Sequence, residues 1–231
     1  MQTAAEKWAF SLTLREDPGS EDCVKHALSL TKLVRDSQGV TTNTVLFVAG
    51  VIGLAWNRWP DQIQKWSSEY LVEVDKFDRR RRGMLYLALG LCPHANALIA
   101  LQEIHKNAVD QVDANEVGSG IVMHGKEMTV FVPTEPLHLD MLLGCFFGSG
   151  DARYLRQICS TILWLGDENA GAHRRRLATA AHRHVYTHLG RNHFGVLTAM
   201  EFVHAELPDL ADLLEEISDE MEEAALDLHT H

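Results

Sequence analysis

From Val45 to Trp56 the chain carries no charged or strongly polar side chain. A bilayer span takes about 20 apolar residues, so this run is too short to cross a membrane. A helix that is apolar on every side must be surrounded by protein, which makes the segment from about Thr44 to Asn57 the centre of the fold. Gly50 and Gly53 weaken its helix propensity, and close approach of neighbouring helices is the physical reason to keep them.

The segments around this run have one apolar stripe each. Ser20 is a good N-cap, followed by Glu21 and Asp22 at the positive end of a helix with Val24, Ala27, Leu28, Leu30 and Val34 inward, ending at Gly39. Pro60 suits the first turn of a helix carrying Ile63, Trp66, Tyr70 and Val74. Arg79, Arg80, Arg81 and Arg82 interrupt the pattern before a short apolar helix from Met84, and Pro93 opens another that runs inward through Leu98, Leu101, Ile104, Ala108 and Val112. Beyond Gly120 the period changes. Ile121 to Met123 and Met128 to Val132, around Gly125, read as two short strands closed by Pro133 and Pro136.

Helical spacing returns at Leu139, Leu142, Leu143, Phe146 and Phe147, turns at Gly148 to Gly150, and resumes after a cap at Asp151. Helices over Ala170 to Leu189 and His193 to Glu206 follow, with a last one from Pro208. The expected fold is therefore all-α, a compact array of antiparallel helical hairpins with about nine helices and one small β-hairpin inserted near 121–132. Residues 1–231 read as a single helical domain. A sub-division at 113–120 would separate the N-terminal helices of 1–112 from the β-hairpin and C-terminal helices of 121–231.

The segment from Pro133 to Leu155, with Leu139-Asp140, Phe146-Phe147, Gly150-Asp151 and Tyr154-Leu155, resembles a stretch of uncharacterised bacterial helical proteins. Those read roughly Ser-Pro, Leu-Asp-x-Leu-Trp, Phe-x-x-Thr-Gly-Asp and Tyr-Val. Leu143 stands here at the tryptophan position and Ser149 at the threonine position. The resemblance covers about a tenth of the chain and implies a helical fold without an activity.

The net charge of −11 is concentrated at one end. Eleven acids lie between Glu201 and Asp227, with no lysine or arginine after Arg191, so they account for the whole excess. An acidic total opposes nucleic-acid binding, which needs a basic surface. Cys23, Cys92, Cys145 and Cys159 lie in apolar stretches without a Cys-x-x-Cys pair, as expected of free thiols in a reducing, cytoplasmic setting. Met1 to Asp17 has Glu6 and Lys7 and no continuous apolar core, so no secretory signal is expected.

Histidines cluster between His173 and His204. If the two helices around Gly190 pair antiparallel, His184, His188 and Glu201 come near one another between them, which is how bundle metal sites are built. The same side chains are equally explained as packed, hydrogen-bonded residues. Glu135-x-x-His138 and Glu201-x-x-His204 fit the spacing of carboxylate-bridged metal bundles, but Pro136 places the first copy at a helix start. Arg79 to Arg82 and Arg174, Arg175 and Arg176 are basic clusters able to meet an anion or an acidic partner. No phosphate loop, nucleophile elbow or His-Glu-x-x-His motif occurs.

The leading expectation is a non-catalytic helical protein-interaction module with no cofactor and no membrane contact. Its acidic C-terminal helix serves either as a closing helix or as a docking face. The alternative is a metal-dependent enzyme or sensor holding one divalent metal between two helices through His184, His188 and Glu201.

Overall fold

The structure is a computed structural model that describes residues 17–26, 29, 40–73, 79–108, 110–189 and 194–215. The side chains of 69–73, 79–81, 186–189 and 194 lie outside the description. A helical stretch at 21–26 precedes α1 (Thr42–Ala55), α2 (Pro60–Glu73), α3 (Arg79–Leu91), α4 (Ala95–Lys106), α5 (Gln111–Met123), α6 (Pro136–Ser149), α7 (Ala152–Ile162), α8 (Ala172–Leu189) and α9 (Phe194–Glu206). Single turns of 3-10 helix occur at Met128–Val130 and Leu163–Leu165, and 209–215 is helical again. Among the described residues there is no strand, so the fold is all-α.

α1 is the apolar run. Thr41 stands before it in extended geometry and its hydroxyl accepts the Thr44 amide, satisfying one of the donors a helix start leaves over. Thr44, Val45 and Phe47 through Ala55 are all buried. α6 covers one flank and α3 another, and these are the two most extensive helix contacts among the described residues.

Glycines set how close the neighbours come. A Cβ on Gly50 would run into the Met141 carbonyl of α6; on Gly144 it would strike the Phe47 carbonyl, and on Gly148 the Val51 carbonyl, both of α1. On the other flank a Cβ on Gly53 would sit 2.5 Å from the Ala88 carbonyl oxygen of α3. The same device joins α3 to α5, where Gly90 and Gly120 would each approach the other helix's backbone to under 3 Å. α6, α1, α3 and α5 are thus linked in series by backbone against backbone. α4 packs on α2, α3 and α5, while α7 gathers α6, α8 and α9.

The C-terminal end of α6 is closed by other parts of the chain. Gly150, at φ +74°, caps it with an amide bonded to the Phe146 carbonyl at 2.7 Å. Gly19, at φ +70°, donates its amide to the Phe147 carbonyl at 2.8 Å, and the Cys23 thiol donates to the same oxygen at 3.2 Å. The Arg58 guanidinium reaches the carbonyls of Gly19 and Ser149, a cation at the negative end of the helix.

Three expectations need correcting. The β-hairpin does not form: 121–123 completes α5, Gly125 turns at φ +78°, and Met128–Val130 is a 3-10 turn. Gly120 packs against the backbone of α3, and that contact continues the helix through Met123. Gln157 of α7 instead holds the turn by donating to the Thr129 carbonyl at 2.5 Å. Next, the helix expected from Pro93 to Val112 is two helices, α4 and α5, the second restarted by the side-chain cap of Asp110. Finally, Arg79–Arg82 begin α3 and do not interrupt it. The stretch 113–120 lies within α5. Of the expected helix from Ser20 to Gly39, 27–28 and 30–39 lie outside the described residues, as do 190–193 and 216–231.

Gly144→Ala is expected to destabilise the protein by about 2 kcal/mol or more in urea unfolding, because the backbones cannot part without opening the core. Gly118, inside α5 with nothing within 4 Å of its missing Cβ, behaves oppositely. Gly118→Ala is expected to stabilise by about 0.5–1 kcal/mol through helix propensity alone. Equal effects of the two substitutions would refute the close-contact account.

Candidate binding groove

Asp113 is the most deeply buried acid among the described residues, at 2% exposure. It sits in the first turn of α5, where its amide donates to the Asp110 side chain at 2.8 Å. Its Oδ1 accepts from Arg82 Nε at 2.9 Å and from the Tyr86 hydroxyl at 2.8 Å. Arg82 and Tyr86 are one turn apart on α3, so both reach the same oxygen. The guanidinium, the hydroxyl and the Asp110 cap together hold this side chain at the start of α5. This cluster separates the starts of α3 and α5 by side-chain length, while Gly90 and Gly120 bring their later turns into backbone contact.

The wedge between them is an open groove of about 540 Å³, lined by Gly83, Tyr86, Leu87, Glu116, Ser119, Gly120 and Met123. On α5 the lining residues recur at helical spacing, and Val112, 45% exposed, stands four residues ahead of Glu116 on the same stripe. On α3 Gly83 contributes no side chain; only Glu116 Oε2, 3.5 Å from its missing Cβ, comes near. The groove has the size range of ligand sites and mostly apolar walls.

A second polar cluster ties three helices. Asp140 of α6 accepts from Asn43 Nδ2 of α1 at 2.7 Å and from His184 Nε2 of α8 at 3.0 Å. Nearby, His173 Nε2 donates to the Thr134 carbonyl at 2.8 Å, and His138 Nδ1 accepts the Thr134 amide at 3.2 Å. His184 and His173 tie α8 to α6 and to the segment before it, and His138 holds that segment at the start of its own helix.

Of the residues singled out from sequence for a metal, two can be placed. His184 is turned to Asp140, Glu201 is exposed on α9, and the His188 side chain lies outside the described residues. α8 and α9 both take α7 as a main partner. Among the described residues no group of three or more His, Cys, Asp or Glu could hold a metal ion. The side chains of Arg79, Arg80 and Arg81 lie outside the description, whereas Arg82 is spent on Asp113. Arg174, Arg175 and Arg176 are exposed at the start of α8. Sequence reasoning missed Asp113, Tyr86 and Asp140. The Asp110-x-x-Asp113 spacing was the available signal for the first, since it marks a capped helix start.

All four cysteines are free and buried. Burial pushes the Cys92 thiol up to about 11, partly offset by the His94 backbone, and Cys159 up to about 12; Cys145 moves in the same direction. Thiols held protonated and shielded are packing groups, not nucleophiles. No helix among the described residues is long and apolar enough to cross a membrane. No protein-family model, curated protein or solved structure matches the chain.

Asp113→Ala leaves Arg82 and the Tyr86 hydroxyl without their shared acceptor, and is expected to cost about 3 kcal/mol in urea unfolding. Tyr86→Phe, which removes one hydrogen bond to a charged group, is expected to cost about 2 kcal/mol. A neutral effect of Asp113→Ala would show that the cluster does not hold α3 and α5 apart.

Proposed function

We propose that this chain is a non-catalytic helical interaction module whose groove between α3 and α5 receives apolar side chains of a protein partner. The observation that carries this reading is the groove itself: open, mostly apolar, and walled by two helices whose spacing is set by a satisfied polar cluster. A partner helix laid along it would place side chains at i, i+3 and i+4 against Leu87, Tyr86 and Met123. The wall is preorganised, so binding would not have to order it.

The polar groups around the groove favour docking over turnover. The carboxylate of Asp113 is enclosed by its own partners, His184 joins α8 to α6, and His138 and His173 both bond Thr134 ahead of α6. A metal-dependent enzyme or sensor built on His184, His188 and Glu201 draws no support from the positions of His184 and Glu201. Within the same reading, the helices form an array of hairpins working in a reducing, cytoplasmic setting. The segment 133–155, α6 and the start of α7, is the part shared in style with the bacterial helical proteins it resembles.

The test is photo-cross-linking from a benzoylphenylalanine placed at Leu87 in the source cell. The expected result is a covalent adduct with one protein, absent when the photoreactive group is moved to exposed Glu103 and lost when Ser119→Trp fills the groove. An adduct that survives Ser119→Trp, or purified protein carrying stoichiometric zinc, iron or manganese that His184→Ala releases, would overturn the reading.

A further inference from the structure

We propose that the solvent face of α8 docks an acidic segment of a partner protein through Arg174, Arg175, Arg176 and Arg183. Between Ala172 and Leu189 this helix has four arginines and no acid, in a chain whose net charge is −11. Leu177, Ala178, Ala181 and Val185 turn inward and Arg176 and Arg183 lie on the opposite side, while Arg174 and Arg175 are exposed at the first turn of the helix.

The other arginines whose side chains are described are engaged by the fold. Arg58 caps the end of α6, Arg82 pairs with Asp113, Arg153 with Asp151, and Arg156 faces Glu206 at 3.7 Å. Those of α8 form no ion pair among the described residues, and three of them crowd the positive end of the helix, where the macrodipole opposes them. Local contacts account for Arg174 and Arg175 in part, whereas no side-chain contact among the described residues accounts for Arg176 and Arg183.

Two of the three are held in position without being neutralised. The Arg174 guanidinium lies 5.3 Å above the Trp164 ring, and Arg175 donates to the Glu168 carbonyl at 2.8 Å. A guanidinium fixed by an aromatic face keeps its outer edge available for a carboxylate, and less side-chain freedom is lost on binding. Arg176 and Arg183 are seven residues apart, two turns along one exposed stripe, the spacing of acids on a facing helix.

The charge distribution chooses the occupant. From Arg176 to Arg183 the stripe spans about 10 Å at 1.5 Å per residue, short for a nucleic acid that is charged along its whole length. The acidic total of the chain repels such a polyanion beyond the stripe. A local run of carboxylates meets the arginines without that penalty.

The test is fluorescence anisotropy of the full chain with a labelled helical peptide of alanine and glutamate, its glutamates repeating at i, i+4 and i+7. Binding is expected to weaken as salt rises, and at least about tenfold in the double variant Arg176→Ala with Arg183→Ala. Arg174→Lys keeps the charge but loses the planar stack, and is expected to weaken binding about threefold, a change that a diffuse charge effect would not produce. The arginines are exposed, so these variants are expected to keep the helical circular dichroism of the parent. No binding of the peptide, equal affinity in the double variant, or tighter binding of an oligothymidylate of the same charge would each overturn the proposal. So would a tenfold gain in affinity when Glu216, Asp219, Glu220, Glu222 and Glu223 are changed to their amides in the full chain. That result would make the chain's own acids the occupant.

Discussion

The structure depends on backbone meeting backbone along α1. A helix with no polar side must be covered on all of it, and Gly50, Gly53, Gly144 and Gly148 let α6 and α3 approach until carbonyl oxygens occupy the place of a side chain. Such contacts have little tolerance, because a Cβ has no rotamer to escape into. The stack of α6, α1, α3 and α5 is therefore the rigid part of the protein. The remaining helices contribute one apolar stripe each.

Much of this was legible in residues. The continuous apolar run and its two glycines identified the central helix and its close neighbours before any contact was known. The cap at Asp151 and the turn at Gly150 were equally readable, since each uses a residue whose conformation or side chain fits that place. What failed was the region from Gly118 to Val132. Its valines and isoleucine favour strands locally, but Gly120 is required by the backbone of α3, and that tertiary demand carries the helix through Met123. The candidate site was hidden for a related reason. A sequence shows charges one at a time, whereas Asp113 gains its meaning from Arg82 and Tyr86, about thirty residues earlier, and His184 from Asp140, 44 residues earlier.

Polar groups in this protein divide by location. Inside, Asp113 links α3 to α5 and Asp140 links α1, α6 and α8 through matched hydrogen bonds. Outside, the groove and the arginine face of α8 are features that the fold does not need for its own stability. The proposed interaction module would use both, because recognition works through shape and charge on a rigid support.

Native-state hydrogen exchange tests the central claim most directly. If the glycine contacts make α1 the last element to open, the amides from Gly50 to Leu54 exchange only through global unfolding, with a free energy equal to that from urea, while those of α9 exchange through smaller openings. Amides of α1 that exchange as readily as those of α9 would contradict it.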